Sequence, residues 1–567
     1  MQADAQATGK AAKRPPETVM RLARMGAFHQ SRLSFMRILL RRMQREGWRF
    51  ERRAFDIDAR GVGHAVYAAH GPRHSYSLVA FAHDLPAEKR SDRVIADAWD
   101  ATFALFDGLP EQADIDRLAA NVPLQEAGRI SGRELSLSRA NRSVRLFEHV
   151  VGRLAEGRQP DPETVGHVGY LMRTTAVYGS GKFGAADRDM IADRPEFAAP
   201  FQAEMLSVYL TRWFVIELAE HLARARAPGT AVAMAPAMRR RFGIGNSTGL
   251  GMAPFLITHP VLINNWIAAR EEALARVRSL TRATPEAQQR FRALLARAVQ
   301  NAAEWQSEHP LQIGKLAALR ADLDRLRARV DNGGLDGTRP WDALYRWAED
   351  TLSLEGQEQL VSLVLEPYGD LVDKLSDCMG ADEAAAFCID GAMTVAELRA
   401  TLQDVYGWAL EIDWQAPPAQ ARCWYVSEEK LEPRLGERFD EPVTAYEQPL
   451  SPGRDAARLY ADLAGYDPDA PLAELLLALP VHRHMVRRAQ IATRFPYAEI
   501  RDNTIGADVL PIDMLRAKLS FFGATHFDPR SDRWVRINMY RGAPYPDELA
   551  GAAYDDWAYP VLPETAS

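Results

Sequence analysis

Two glycine-rich stretches hold the residue types best suited to chemistry. The first, RTTAVYGSGKFGAADR at 173–188, presents Tyr178, Ser180 and Lys182 among Gly179, Gly181 and Gly184. Only eight of the 69 basic residues are lysines, so a lysine in such a turn carries information. A compact ammonium can lose its proton and serve as general base or imine-forming nucleophile, or keep it and hold a carboxylate or phosphate. Arginine, always charged, offers only the second use. The plainer reading is a lysine exposed on a surface turn. The second stretch, RFGIGNSTGLGMAPFLITHPVLINNWIAA at 241–269, sets Asn246, Ser247 and Thr248 among Gly243, Gly245, Gly249 and Gly251. Their donors and acceptors, beside the free amides of a following helix start, suit an anion. His259 precedes Pro260, which turns it out of helical geometry to a corner between helices, where it can move a proton or merely cap a helix end. Asn264 and Asn265 stand in apolar company one turn later, and buried amides need partners, a ligand being one candidate.

A third group is SRANRSVR, where Arg139, Arg142 and Arg145 recur every three residues. Read as helix, this spacing gives one slowly drifting arginine face that binds an anion through planar forks or is solvated. With Arg173 at the head of the first stretch, the expected binding set is Asn246, Ser247, Thr248, Arg142, Arg173 and Asn265. The expected catalytic set is Lys182, Tyr178 and His259. No metal site is expected: the sequence has no HExxH, its three cysteines lack paired spacing, and His482 and His484 are two apart on a predicted helix, pointing different ways. Gly179, Gly181 and Gly184 formally satisfy GxGxxG, but the segment before them reads as helix rather than strand, against a dinucleotide fold. No nucleophile elbow or Walker loop is present. In the C-terminal part, Arg501, Asp502, Asn503, Thr504 and Asp528 suit turns, and His526 is a reserve proton carrier.

Most of the elements that must position these residues read as helices. Residues 19–47 form a helix with Leu22, Met25, Leu33, Met36, Leu40 and Met43 on one side and arginines in solvent. Three strands follow at 50–58, 63–69 and 75–83, a small antiparallel meander. Helices are expected at 92–106, 138–154, 162–178, 200–224, 260–280 and 285–307. Phe291, Leu294, Ala298, Ala302 and Trp305 face the three-four stripe Leu316, Leu319, Leu323, Leu326 and Val330, which predicts a helical hairpin. The hairpin either packs within the chain or joins two copies through 285–330. Further helices are expected at 340–352, 356–375, 394–410, 452–464 and 482–494, and a late strand at 533–540 that could join the meander.

The expected fold is therefore mainly α, with a small antiparallel sheet near the N-terminus that the C-terminal strand can complete. The expected units are a disordered tail at 1–17, a helix-plus-meander unit at 18–130, a helical core with glycine-rich loops and hairpin at 131–332, and a mainly helical unit at 340–567. An apolar fraction of 47% and a charged fraction of 26% are those of a globular chain, and the net charge of -7 makes nucleic acid an improbable partner. No apolar run approaches a membrane span, and unpaired cysteines fit the cytoplasm. The sequence thus points to a cytoplasmic enzyme of lyase or transferase type, doing acid-base chemistry on a small anionic metabolite held between 178–184 and 243–251. No cofactor is required by any motif. The alternatives are a noncatalytic helical scaffold, or a nucleotide- or flavin-dependent enzyme with the phosphate on the second loop.

Overall fold

The protein's structure, a computed structural model, describes residues 11–86, 88, 98–124, 129–174, 191, 193–199, 201–248, 260–305, 307, 310–380, 387–416, 424–426, 434–435, 448–449, 452–501, 516, 518–524, 526–529, 535–551 and 553–559. Strands Arg49–Ile57 (β1), Gly63–His70 (β2) and Ser75–Ala82 (β3) form the expected meander, paired antiparallel through tight turns. The sheet continues through Ala101–Asp107 (β4), Glu134–Arg142 (β5), Tyr170–Thr174 (β6) and Gly243–Thr248 (β7). His526–Pro529 (β8) and Val535–Met539 (β9) complete it in the order β1-β2-β3-β4-β5-β6-β7-β9-β8. Strands β6 and β7 run parallel; every other neighbouring pair is antiparallel. A nine-stranded mixed sheet drawn from the whole chain thus replaces the expected small N-terminal antiparallel sheet.

The correction has a physical cause. Both faces of the middle strands are covered. Ala101, Phe103 and Leu105 of β4 face the main core, while Ala104 and Phe106 join Val66, Val79, Phe81 and Leu137 in a second cluster. A strand buried on both sides loses its period of two and becomes a continuous apolar run, which the reading of 92–106 took for helix. In 138–154 and 162–178, a strand and a short helix abut, and their summed pattern imitates one long helix.

Among the helices, Phe35–Arg45 (α1) is buried along most of its length, and two of its arginines, Arg37 and Arg41, are buried rather than in solvent as expected. Arg37, fully buried, bridges Glu366 and Asp555, and Arg32 pairs with Asp373 at 2.7 Å. Gln112–Asn121 (α2) covers the second cluster with Ile115 and Leu118. Phe147–Ala155 (α3) and Pro162–Val168 (α4) stand between β5 and β6. Gln202–Arg226 (α5) lies against strands β2 to β7 and is buried along most of its length. Its Arg212 donates to the carbonyls of Phe242 at 2.7 Å and Ala543 at 3.0 Å, and lies over the Tyr545 ring.

Pro260–Arg278 (α6), Pro285–Glu304 (α7), Pro310–Asp331 (α8), Pro340–Thr351 (α9) and Leu354–Leu365 (α10) form the helical side of the same core. Pro occupies the first helical position of α7, and the Thr284 side chain accepts the Ala287 amide, as the sequence pattern predicts. The two hairpin stripes of α7 and α8 are buried in the main core. Val395–Leu410 (α11), Pro452–Asp462 (α12) and Arg483–Arg494 (α13) share a separate apolar cluster. No helix of the described residues is long and apolar enough to cross a membrane.

His29 makes the core sensitive to acid. Its imidazole is buried, stacked on the Tyr559 ring at 3.6 Å and 11°, and burial, with Arg37 and Arg297 nearby, pushes its pKa well below the ordinary histidine value. The folded state therefore stays neutral here while the unfolded chain takes up a proton below about pH 6.5. Stability falls as the pH drops through that value, by about 1.4 kcal/mol for each unit of depression. Denaturant melts of the wild type and His29→Phe between pH 7.5 and 5 check this: the variant keeps the stacking and shows the shallower decline.

Candidate functional site

Polar side chains gather at one end of the middle strands β3 to β6. The pairing Ala82↔Ala101, Ala101↔Ala140 and Ala140↔Thr174 sets the ends of β3, β5 and β6 beside the start of β4. Alternation then sorts the neighbours onto two faces. Thr102 opposes Arg139, Asn141 opposes Arg173, and Arg173 opposes Gly245, so these residues share the face that carries the second apolar cluster. His83 extends β3 onto that face: its amide donates to the Asp100 carbonyl at 2.9 Å, and its Nε2 is 3.2 Å from Thr102 Oγ1. Arg139 lies over the Trp99 ring at 4.2 Å. Below them sit Phe81, Ala104 and Leu137, which exclude water from the floor.

The polar groups are braced from behind. Asp100 is fully buried; its amide donates to Asn141 Oδ1 and its carboxylate accepts the Arg142 amide, each at 3.0 Å. The Asn246 side chain donates to the Thr174 carbonyl at 2.8 Å and so ties the end of β6 to the end of β7. Burial pushes His83 below its ordinary pKa, with the Asp100 charge opposing the shift. The imidazole is thereby neutral at physiological pH, with a lone pair available to accept a proton.

The residues expected to act from sequence are distributed unevenly around this edge. Arg173 is in it, buried, and Asn246 is buried at the neighbouring strand end. Arg142 is on the adjacent strand but opposes Met172 and so faces the other side, its guanidinium over the Phe147 ring and 3.7 Å from Asp100. The expected arginine face of 139–145 is not helical: Arg139 and Arg142 lie on β5, and an odd spacing puts them on opposite faces. Asn265 is in the second turn of α6; Asn264 donates to its side-chain oxygen at 3.2 Å and accepts the Tyr497 amide at 3.0 Å, so protein satisfies Asn264.

Ser247 and Thr248 end β7 and are described by backbone alone. Lys182, Tyr178 and His259 lie outside the described residues. His83, Asp100, Trp99 and Asn141 were not singled out from sequence, and no local motif marks them; only the strand pairing assembles them. Among the described residues no group of three or more His, Cys, Asp or Glu side chains gathers as metal ligands do. No protein-family model matches the chain, and comparison with curated proteins and with solved structures finds no similar protein.

Proposed function

We propose that the protein is an enzyme that moves a proton on a small anionic metabolite, a carboxylate or a phosphate, held at the sheet edge of His83, Arg139, Asn141 and Arg173. The observation that supports this reading is the placement of two arginines and a neutral histidine on one face, above an apolar floor. Each arginine presents a planar fork to an oxyanion, and hydrogen bonds to charged partners strengthen where water is excluded. His83, uncharged, is the base of the set. Parallel strands β6 and β7 end side by side here, and the glycine-rich stretches bearing Lys182, Tyr178 and His259 begin from those two ends. Ligands of parallel sheets characteristically collect outside such carboxyl ends. Ser247 and Thr248 are then contributors from the second stretch.

The reading includes a cytoplasmic setting, supported by cysteine spacing that offers no disulfide pairs. Any association of copies through residues 285–330 has to use the outer faces of the hairpin, because its apolar stripes are covered by the core.

The test is turnover. Wild-type protein incubated with a panel of small carboxylates and phosphate monoesters, followed by proton NMR in deuterated water, should exchange or transform one of them. Arg173→Met should lower kcat/KM by about 10- to 100-fold, the worth of a hydrogen bond to a charged group. His83→Gln should remove the acidic limb of the rate profile, which lies below pH 6.5 because the histidine is depressed. A folded Arg173→Met that turns over at the wild-type rate sinks the assignment.

A further inference from the structure

The tip of the hairpin between β2 and β3 sets a nucleophile, a base and a carboxylate in hydrogen-bonding order. Register places His70, the last residue of β2, directly opposite Ser75, the first of β3. Glu51 of β1 opposes Ala68, two residues before His70, so alternation puts all three side chains on one face of the sheet. His70 Nδ1 is 3.0 Å from Ser75 Oγ, and His70 Nε2 is 3.2 Å from Glu51 Oε1. Hydrogen bonds from His70 and Arg53 hold Glu51 below the usual carboxylate range, so it is ionised at neutral pH and can only accept. Nε2 therefore carries the ring proton, and the Nδ1 lone pair is left to accept from the serine hydroxyl.

The turn that joins the two strands is held from several sides. Gly71 donates to the His74 carbonyl at 2.9 Å, and Gly108 donates to the Ser75 carbonyl at 2.8 Å, tying the start of β3 to the end of β4. A Cβ on Gly71 would be 2.8 Å from the Trp48 ring, which itself stacks on Tyr76 at 6.0 Å and 16°. His74 Nδ1 is 2.9 Å from the Glu196 carboxylate. Ser75 and His70 are half-buried, and Glu51 is exposed. A surface serine ordinarily rotates freely in water, whereas this one has a base fixed beside it. Among the described residues, the amides of Arg73 and His74, next to Ser75 in the chain, make no backbone hydrogen bond and are donors available to an oxyanion.

We propose that Ser75, His70 and Glu51 form a second site, a nucleophilic one that transfers the acyl group of small carboxylic esters, at the opposite end of β3 from His83 and about 25 Å from it. As Ser75 Oγ bonds to the ester carbonyl carbon, its proton passes to His70 Nδ1, and Glu51 stabilises the imidazolium through Nε2. The bond between the acyl carbon and the alcohol oxygen then breaks, and His70 gives the proton to the departing alcohol. Water repeats the sequence on the acyl-serine: His70 takes a proton from it, its oxygen bonds to the acyl carbon, and the bond to Ser75 breaks as the proton goes to Oγ. Ser75 and His70 are the catalytic residues and Glu51 the positioning residue. The ring nitrogens are used in the reverse of the commonest order, and the chemistry requires only that one nitrogen accept while the other is held.

The experiment uses the full chain. The wild type should hydrolyse p-nitrophenyl acetate with an initial burst, and a fluorophosphonate should label a serine that peptide mapping by mass spectrometry identifies as Ser75. Ser75→Ala should lose both the burst and the label, and His70→Gln should lower the rate about 100-fold. Glu51→Gln should lower it only severalfold, because the carboxylate is exposed. In that variant, nitrogen-15 spectra of the His70 ring should move from the Nε2-protonated form toward a mixture of tautomers, which a merely structural role would leave alone. Thermal melts report whether each variant folds, and the label on the wild type decides where one does not. A wild type whose Ser75 stays unlabelled, or a folded Ser75→Ala that hydrolyses the ester at the wild-type rate, overturns this site and leaves the reading of the His83 edge untouched.

Discussion

Arg14→Met is expected to cost about 3–5 kcal/mol of folding stability, the range found when one partner is taken from a buried ion pair. Arg14 falls in the polar stretch 1–17, yet it is buried. Its Nε and Nη2 each donate to Glu271 at 2.8 Å, and its Nη1 donates to Glu358 at 2.7 Å. Glu271 belongs to α6 and Glu358 to α10, so one guanidinium clamps both helices. Burial by itself would raise both carboxyls, but Arg14, with Arg270 and, at Glu358, Arg24, holds each below the usual range. Arg270 and Arg24 remain after the substitution, one beside each carboxylate at 3.1 Å and 3.2 Å, but neither joins the two helices as Arg14 does.

The pH dependence separates this loss from simple loss of packing. In the wild type the depressed carboxylates contribute stability present above about pH 4 and lost below it. In Arg14→Met the carboxyls lose the strongest of the charges that hold them down, so less stability is lost as the pH falls below about 4 than in the wild type. Urea melts of both proteins at pH 7 and pH 3.5 check this.

The second large effect is at Gly243. A methyl group there would overlap the Asn538 side chain and the Met539 carbonyl, and would come within 2.9 Å of the Arg541 amide. Two of the three obstacles are backbone atoms of the neighbouring strand and its continuation, which cannot turn away as a side chain can. Relief requires β9 to retreat from β7, which breaks the ladder Ile244↔Met539 to Thr248↔Val535 and the Asn538 bond to the Gly169 carbonyl. Gly243→Ala is therefore expected to cost about 3–5 kcal/mol, at the upper end for overpacking. Gly152→Ala is the control: it sits in α3 with nothing within 4 Å of the added carbon. There helix propensity alone acts, and alanine should stabilise by about 0.5–1 kcal/mol. Parallel thermal melts of the two variants should shift in opposite directions.

Helices were legible where a 3.6 period and a proline at the start coincide, as at Pro260, Pro285 and Pro340. Strands were legible where turn signals bound them, as for β1 to β3 with Gly61 and Gly71-Pro72 between them, whereas β4 to β7, which lack such punctuation and abut helices or glycine-rich stretches, were not. That single misreading propagated to the site. Arg139 and Arg142 look adjacent on a helix but oppose each other on a strand. His83 and Arg173 are 90 residues apart, and only the β3-β4-β5-β6 pairing joins them. No spacing rule reaches across such an interval.

The order of the strands also bears on how the chain is made. Strand β9 fills the gap between β7 and β8, and Tyr540, Trp557 and Tyr559 lie in the same core as Met20 and Phe35. While the ribosome is still adding residues, β7 has an open edge and Arg212 of α5 lacks the Ala543 and Pro544 carbonyls. The nascent polypeptide must therefore hold several hundred residues in a partly assembled, sticky condition until translation passes residue 559. Such a chain needs escort during synthesis more than one whose early segments close by themselves.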